Sequence, residues 1–120
     1  MRESGPRGRG VFALVAFAPG ETIERAPVVA FPAEDWKHVD RTALAFYGYD
    51  WGDDGRAGAI VLGFGSIYNH SYEPNARYVR RLSALTMDYV ARRAIAPGEE
   101  ITVNYNGDPD DQSPLLFDVS

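Results

Sequence analysis

Ten consecutive residues, Ser66-Ile67-Tyr68-Asn69-His70-Ser71-Tyr72-Glu73-Pro74-Asn75, gather two Asn, two Tyr, a Pro and one of the chain's two histidines. Their amide, hydroxyl and imidazole groups offer hydrogen-bond donors and acceptors rather than a metal cage. No second His, Cys or tight carboxylate cluster accompanies His70 in this stretch, so a metal centre is not expected. Asn, Ser and Pro favour turns, because their side chains bond nearby backbone or fix φ. The flanks, Ala59-Ile60-Val61-Leu62 and Ala76-Arg77-Tyr78-Val79, read as strand. A polar, aromatic-rich turn carried by apolar strands is a common setting for a binding or catalytic site. By composition alone, a solvated loop with capping Asn and Ser accounts for it as well.

The order of residues says more. Asn69-His70-Ser71 followed by Pro74-Asn75 resembles the signature of the SET-domain protein-lysine methyltransferases. Gly98-Glu99-Glu100-Ile101-Thr102-Val103-Asn104-Tyr105 is similar to that family's Gly-Glu-Glu-Leu-x-x-Asp-Tyr motif, and Arg7-Gly8-Arg9-Gly10-Val11-Phe12-Ala13 to its N-terminal glycine motif. Three motifs in the family's order across residues 7–107 make the resemblance specific. It implies a mainly β fold, the β-clip of small curved sheets with a knotted C-terminal core and little helix. It also implies one SET domain over residues 1–120, with its core at about 7–107 and an acidic, then apolar, tail at 108–120.

The activity implied is S-adenosylmethionine-dependent methyl transfer to the side-chain amine of a protein lysine, releasing S-adenosylhomocysteine. The resemblance gives the cofactor to Gly8, Arg9 and Gly10, mostly through main chain, and to Asn69, His70 and Tyr105. Tyr105 is the implied catalytic tyrosine. Tyr47 and Tyr68 are the implied walls of the lysine channel. Val103, two residues before Tyr105, stands where the family commonly has Phe or Tyr, and its small side chain leaves room for more than one methyl group. Asn75 is expected to pin the crossing of the two C-terminal motifs. Phe117 or Leu116 is expected to fold over the cofactor, in place of a cysteine-rich module. Tyr72 stands where many members have Cys, and Asn104 where they have Asp; neither removes a group that must do chemistry. The alternative from another class is a catalytically silent SET-like module that binds a protein segment, and Tyr105 together with Asn69-His70 favours the enzyme.

Such a reaction is an in-line displacement, for which a protein supplies alignment, a dry channel and a neutral amine. A free lysine, with a pKa of about 10.4, is almost wholly protonated near neutral pH. Burial in an apolar channel beside a positive sulfonium disfavours the ammonium, while tyrosine faces tolerate the entering cation and tyrosine hydroxyls orient the amine.

The elements that must position these groups are short. Val11–Phe17 and Ile23–Phe31 read as strands, the second broken at Pro27. Ala33–Phe46 is the one plausible helical stretch, with Asp40 as a candidate cap for Arg41–Phe46. Tyr49 and Trp51 are expected to pack, and His38 to lie at the surface. Ala16–Ile23 and Ala94–Ile101 match at six of eight positions, and each carries a Pro-Gly pair suited to a type II turn.

At 120 residues with 45% hydrophobic composition the chain holds one modest core. The net charge of −5 argues against broad nucleic-acid binding and for a cationic protein or peptide substrate. With no cysteine, disulfides and Cys-ligated zinc are excluded. No apolar run reaches the length of a membrane span and the N-terminus lacks the core of a secretion signal, so a cytoplasmic protein without a membrane partner is expected, with a homodimer an open option. Lys37 is the sole lysine, so lysine self-methylation has one acceptor.

Overall fold

Apolar runs interrupted every few residues by Gly, Pro and Asn leave little length for any element, and the chain folds as short strands. The computed structural model describes residues 2–3, 9–45 and 47–112. The strands are β1 (Arg2–Glu3), β2 (Arg9–Phe12), β3 (Thr22–Phe31), β4 (Gly48–Trp51), β5 (Ala57–Val61), β6 (Asn69–His70), β7 (Ala76–Arg81), β8 (Thr86–Ala91) and β9 (Glu100–Val103). One sheet has the order β1-β2-β9-β6 and the other β4-β5-β3-β8-β7. Among the described residues all strand pairings are antiparallel except β6 with β9, which is parallel. No described helix is long and apolar enough to cross a membrane.

Pro27 does not break β3, as the sequence had suggested. The strand changes partner there, pairing with β8 through Thr22–Pro27 and with β5 through Val28–Phe31. The missing N–H of Pro27 therefore falls where the ladder is handed over. Its carbonyl accepts the Leu62 N–H at 2.9 Å, while the Val28 N–H donates to Leu85 at 3.0 Å. Nearer its start β3 carries an irregularity: Thr22 lies opposite Val90 but Glu24 opposite Tyr89. The extra residue is a β-bulge, a device that re-aims the side chains beside it. Glu24 thereby shares a face with Tyr89, which is fully buried.

Both Pro-Gly turns form as expected, with φ of 84° at Gly20 and 88° at Gly98. The N–H groups of Glu21 and Glu99 close them onto Ala18 and Ala96, each at 3.1 Å. The two copies also pair with each other. Phe17 and Ile95 exchange both backbone hydrogen bonds at 2.9 Å, Gly20 N–H reaches Ala91 and Gly98 N–H reaches Ala13. This local two-fold ties the end of β2 to the approach of β9, setting Val11 opposite Ile101. The expected strand Val11–Phe17 is consequently shorter: beyond Phe12 the chain bends, exposing Leu14 and Val15.

The helical stretch also differs from expectation. Ala33–Asp35 form a 3-10 turn and Trp36–Val39 (α1) a single α turn, with Asp40 as C-cap rather than N-cap. Tertiary packing decides this. The Trp36 ring meets Phe31 edge-on at 4.9 Å. It also lies over Gly48 and Gly58, where an added Cβ would come within 2.7 and 2.6 Å of it. A glycine-bare patch of sheet accepts the indole, and local capping is overridden. His38 is exposed, as expected. The core between these elements includes Trp51, Val61, Tyr68, Met87, Tyr89, Ile95 and Val103.

Candidate active site around Tyr105

The parallel pairing of β6 with β9 sets Asn69 opposite Thr102 and His70 opposite Val103, and the Ser71 N–H then donates to the Val103 carbonyl at 2.9 Å. Asn75 fastens this crossing. Its amide nitrogen donates to the Glu100 carbonyl at 2.8 Å and the Glu99 carboxylate at 3.1 Å, and its amide oxygen accepts the Thr102 N–H at 2.9 Å. With 1% of its surface exposed, Asn75 is a buried staple, as expected, and not a ligand-facing group. Hydrogen bonds from Ala96 N–H, from Asn75 and from Arg93 hold the Glu99 carboxyl below its usual pKa.

Tyr105 follows directly on this crossing. Its backbone N–H donates to His70 Nδ1 at 3.0 Å, which puts the proton of the neutral imidazole on Nε2. Its hydroxyl donates to the Tyr68 carbonyl at 2.7 Å, and its ring centre lies 5.2 Å from that of His70. Both ends of the tyrosine are thus held by the Tyr68–His70 segment. Asn104 explains its own departure from Asp. Its amide nitrogen donates to the carbonyls of Asp111 and Pro109 at 2.6 and 3.3 Å, and its oxygen accepts the Asn106 N–H at 2.9 Å. A carboxylate has no N–H for those two carbonyls, so the loop after Tyr105 is wound around an amide.

Asn69 bridges the two sheet partners of this site. Its amide nitrogen donates to the Arg9 carbonyl at 3.0 Å and to the Glu100 carboxylate at 2.7 Å. Gly10 closes the same corner: a Cβ there would stand 2.4 Å from Glu100 Oε2 and 2.9 Å from Asn69 Nδ2. The space a side chain would take at Gly10 is filled by the hydrogen-bonded Glu100 and Asn69 side chains, so only glycine fits at this corner. A cleft of about 350 Å3 is lined by Tyr72, Glu73, Pro74, Arg92, Arg93 and Asp110. The Tyr72 ring packs edge-on against His70 at 4.4 Å.

The structure therefore brings Arg9, Gly10, Asn69, His70, Val103 and Tyr105 together, and gives Tyr68 a different part from the one expected. The Tyr68 side chain is 2% exposed, with its ring 4.4 Å from Tyr89 and its hydroxyl donating to Glu24 at 2.7 Å. Its side chain belongs to the core, and it reaches the site through its carbonyl. Tyr47 is 44% exposed, at the foot of β4, where its carbonyl lies 3.5 Å from the Ser66 hydroxyl. Tyr49 packs as expected, edge-on to Tyr78, with its hydroxyl donating to the Gly65 carbonyl at 2.7 Å and 3.0 Å from that of Tyr89. Burial first, with neighbouring tyrosines and Glu24 adding to it, raises the pKa values of Tyr49 and Tyr68 far above the usual phenol range, and burial does the same for Tyr89. These phenols stay neutral. Gly8 and Phe117 lie outside the described residues. Glu24 carried little signal in the sequence, an acidic residue beside Arg25 near the start of a mostly apolar strand.

Comparison with known proteins gives concordant results. The SET-domain family model matches residues 8–106. A relative from Schizosaccharomyces pombe, named Histone-lysine N-methyltransferase, H3 lysine-37 specific, is 34% identical over 106 residues, covering 88% of this chain and 71% of its own length. The crystal structure of a Plasmodium falciparum protein assigned as a histone methyltransferase superposes with a TM-score of 0.67 at 28% identity, over 86% of this chain and 88% of that one. A chain of a humanized mutant Polycomb Repressive Complex 2 from Chaetomium thermophilum gives a TM-score of 0.64 at 18% identity, over 82% of this chain and 13% of that one, a likeness of fold.

Proposed function

This chain belongs to the SET-domain family of protein-lysine methyltransferases, and from that premise we propose that Tyr105 is the catalytic tyrosine of S-adenosylmethionine-dependent methyl transfer to a protein lysine. One observation carries the assignment: the Tyr105 hydroxyl is held by the Tyr68 carbonyl while its backbone is held by His70. Arg9, Gly10, Asn69 and His70 are the residues that would hold the cofactor: Arg9, Gly10 and Asn69 meet at one corner, where the Asn69 amide donates to the Arg9 carbonyl, and His70 follows Asn69 in β6. When bound, S-adenosylmethionine supplies an electrophilic methyl group on a positive sulfonium.

The chain's own residues do the rest. The Tyr105 hydroxyl donates to the Tyr68 carbonyl, and its oxygen accepts an N–H of the substrate amine, which orients the nitrogen. The buried, neutral phenols around Tyr49 and Tyr89 offer no charge to a lysine ammonium, which favours its deprotonated form. Tyr47 lines the approach of the lysine, and Val103, smaller than the Phe or Tyr common at its position in the family, leaves space near the amine.

The substrate is a protein segment bearing a lysine in a cationic setting, in keeping with the chain's net charge of −5 and with the histone H3 lysine named for the S. pombe relative. A cytoplasmic location and a homodimer belong to the same reading, and fractionation and sizing test them. The experiment for the cofactor is a thermal shift with S-adenosylhomocysteine. A ligand at a hundred times its Kd adds about 2.7 kcal/mol to stability, so the melting temperature rises clearly. No shift and no calorimetric heat at millimolar ligand would reject the enzyme and leave the silent protein-binding module.

A further inference from the structure

We infer that Glu24 is a positioning residue for Tyr105, acting through the Tyr68 phenol and carbonyl; the inference rests on the reading of Tyr105 as the catalytic tyrosine. Glu24 is the centre about which residues 62–68 are folded. Its Oε1 accepts the Tyr68 hydroxyl at 2.7 Å and its Oε2 accepts the Phe64 N–H at 3.0 Å. Gly63, at φ 62°, passes so close that an added Cβ would lie 2.4 Å from Glu24 Oε2. One carboxylate therefore shapes the start of this segment, at Gly63 and Phe64, and holds its end, at Tyr68.

Three features indicate that the arrangement serves the site. First, Glu24 points inward because of the bulge in β3, an irregularity that the sheet's own pairing does not require. Second, Tyr68 is clamped on two sides, by Glu24 at the hydroxyl and by Tyr89 at the ring, so its backbone has one position. Third, the carbonyl fixed by that clamp is the group that accepts the Tyr105 hydroxyl. The connection runs from the Glu24 carboxylate to the Tyr68 hydroxyl, along the Tyr68 residue to its carbonyl, and on to the Tyr105 hydroxyl. Released from Glu24, the Tyr68 carbonyl shifts, and the Tyr105 hydroxyl swings away from the amine it must orient. A misplacement of about 1 Å costs about a hundredfold in rate.

The test compares Glu24→Gln, Tyr68→Phe and the double variant. Gln retains the size of Glu but turns one acceptor into a donor that faces either the Phe64 N–H or the Tyr68 hydroxyl. Positioning predicts that kcat falls by about tenfold to a hundredfold in each single variant. KM for a lysine peptide and the Kd for S-adenosylhomocysteine change less than about twofold, because neither residue touches cofactor or substrate. The double variant is no slower than the worse single one, since the two act as one unit. A second readout needs no turnover: the 13Cζ resonance of Tyr105 in ligand-free protein, assigned with Tyr105→Phe, shifts in both single variants. Unchanged kcat and an unmoved resonance, with only the melting temperature lowered, would overturn the proposal and leave Glu24 as an anchor of the fold. Gly63→Ala, which displaces the carboxylate without altering it, reproduces the effect should Glu24→Gln fail to fold. If the unaltered chain transfers no methyl group at all, the reading of function has failed, and the resonance alone decides the positioning.

Discussion

Asn75 is the residue on which the crossing of β6 and β9 depends, and its removal has a calculable cost. Asn75→Ala deletes the donor to the Glu100 carbonyl and the acceptor of the Thr102 N–H, at 2.8 and 2.9 Å. Both backbone groups stay in the interior without that partner, at a cost of about 1–3 kcal/mol each. The bond to the Glu99 carboxylate is lost as well, though that carboxylate keeps Arg93 at 2.9 Å. The expected loss is therefore about 3–4 kcal/mol. At about 2.1 cal/mol/K of unfolding entropy per residue, a chain of 120 residues loses about 4 °C per kcal/mol, so its melting temperature falls by about 12–16 °C.

Asn75→Asp separates this reasoning from simple cavity formation. The carboxylate keeps an acceptor for Thr102 but turns an oxygen toward the Glu99 carboxylate and the Glu100 carbonyl. Burial and like charge then raise the pKa of the introduced acid in the folded state. Its penalty is complete above that raised pKa, shrinks as pH falls through it and is gone below the unfolded value of about 4, where the protonated acid donates to Glu100. Urea unfolding at about pH 7 and about pH 5 should thus show Asp worse than Ala at the higher pH and better at the lower. A loss below about 1 kcal/mol for Asn75→Ala, or a pH-independent Asp variant, refutes the assignment of Asn75 as the staple.

Asp88 supplies the acid dependence. Burial opposes its ionisation, but hydrogen bonds from Arg25 and Arg81, at 3.0 and 3.1 Å, outweigh it and hold its carboxyl below the usual value. A depressed folded pKa contributes stability that is complete above the unfolded value of about 4 and is lost as pH falls through the folded one, so Asp88→Asn flattens the acid limb of a stability–pH curve. Gly10→Ala forces a Cβ against Glu100 and Asn69, an overpacking of about 1–3 kcal/mol, and calorimetry should show about tenfold weaker S-adenosylhomocysteine binding. Val103 predicts a product beyond monomethyl-lysine. With cofactor in excess, mass spectrometry of a peptide time course checks it, and Val103→Tyr should shift the product toward monomethyl.

The sequence displayed its local chemistry well and its long-range pairings poorly. Pro presets φ and Gly accepts a positive one, so both Pro-Gly turns were readable from single dipeptides. Their pairing through Phe17 and Ile95 was not, because it joins segments far apart in the chain. The motifs placed Asn69, His70 and Tyr105 together, and the β6–β9 register brought them there. Asp40 misled because capping propensity is worth less than burying Trp36 on bare glycine sheet. Tyr68 misled because a tyrosine beside a motif reads as a site residue, while its actual partner, Glu24, lies on another strand and is turned inward by a bulge that no local pattern announces. Asn104 looked like a simple departure until the carbonyls of Pro109 and Asp111 gave its amide a purpose.

The most direct measurement is transfer of labelled methyl groups from S-adenosylmethionine into proteins of a lysate, with unaltered chain and Tyr105→Phe side by side. Mass spectrometry should place the label on a lysine side chain. Tyr105→Phe, which lacks the hydroxyl held by the Tyr68 carbonyl, should be slower by about a hundredfold while still gaining thermal stability from S-adenosylhomocysteine. Label appearing elsewhere than on lysine, or a Tyr105→Phe variant as fast as the unaltered chain, would contradict the assignment of Tyr105 to lysine methyl transfer.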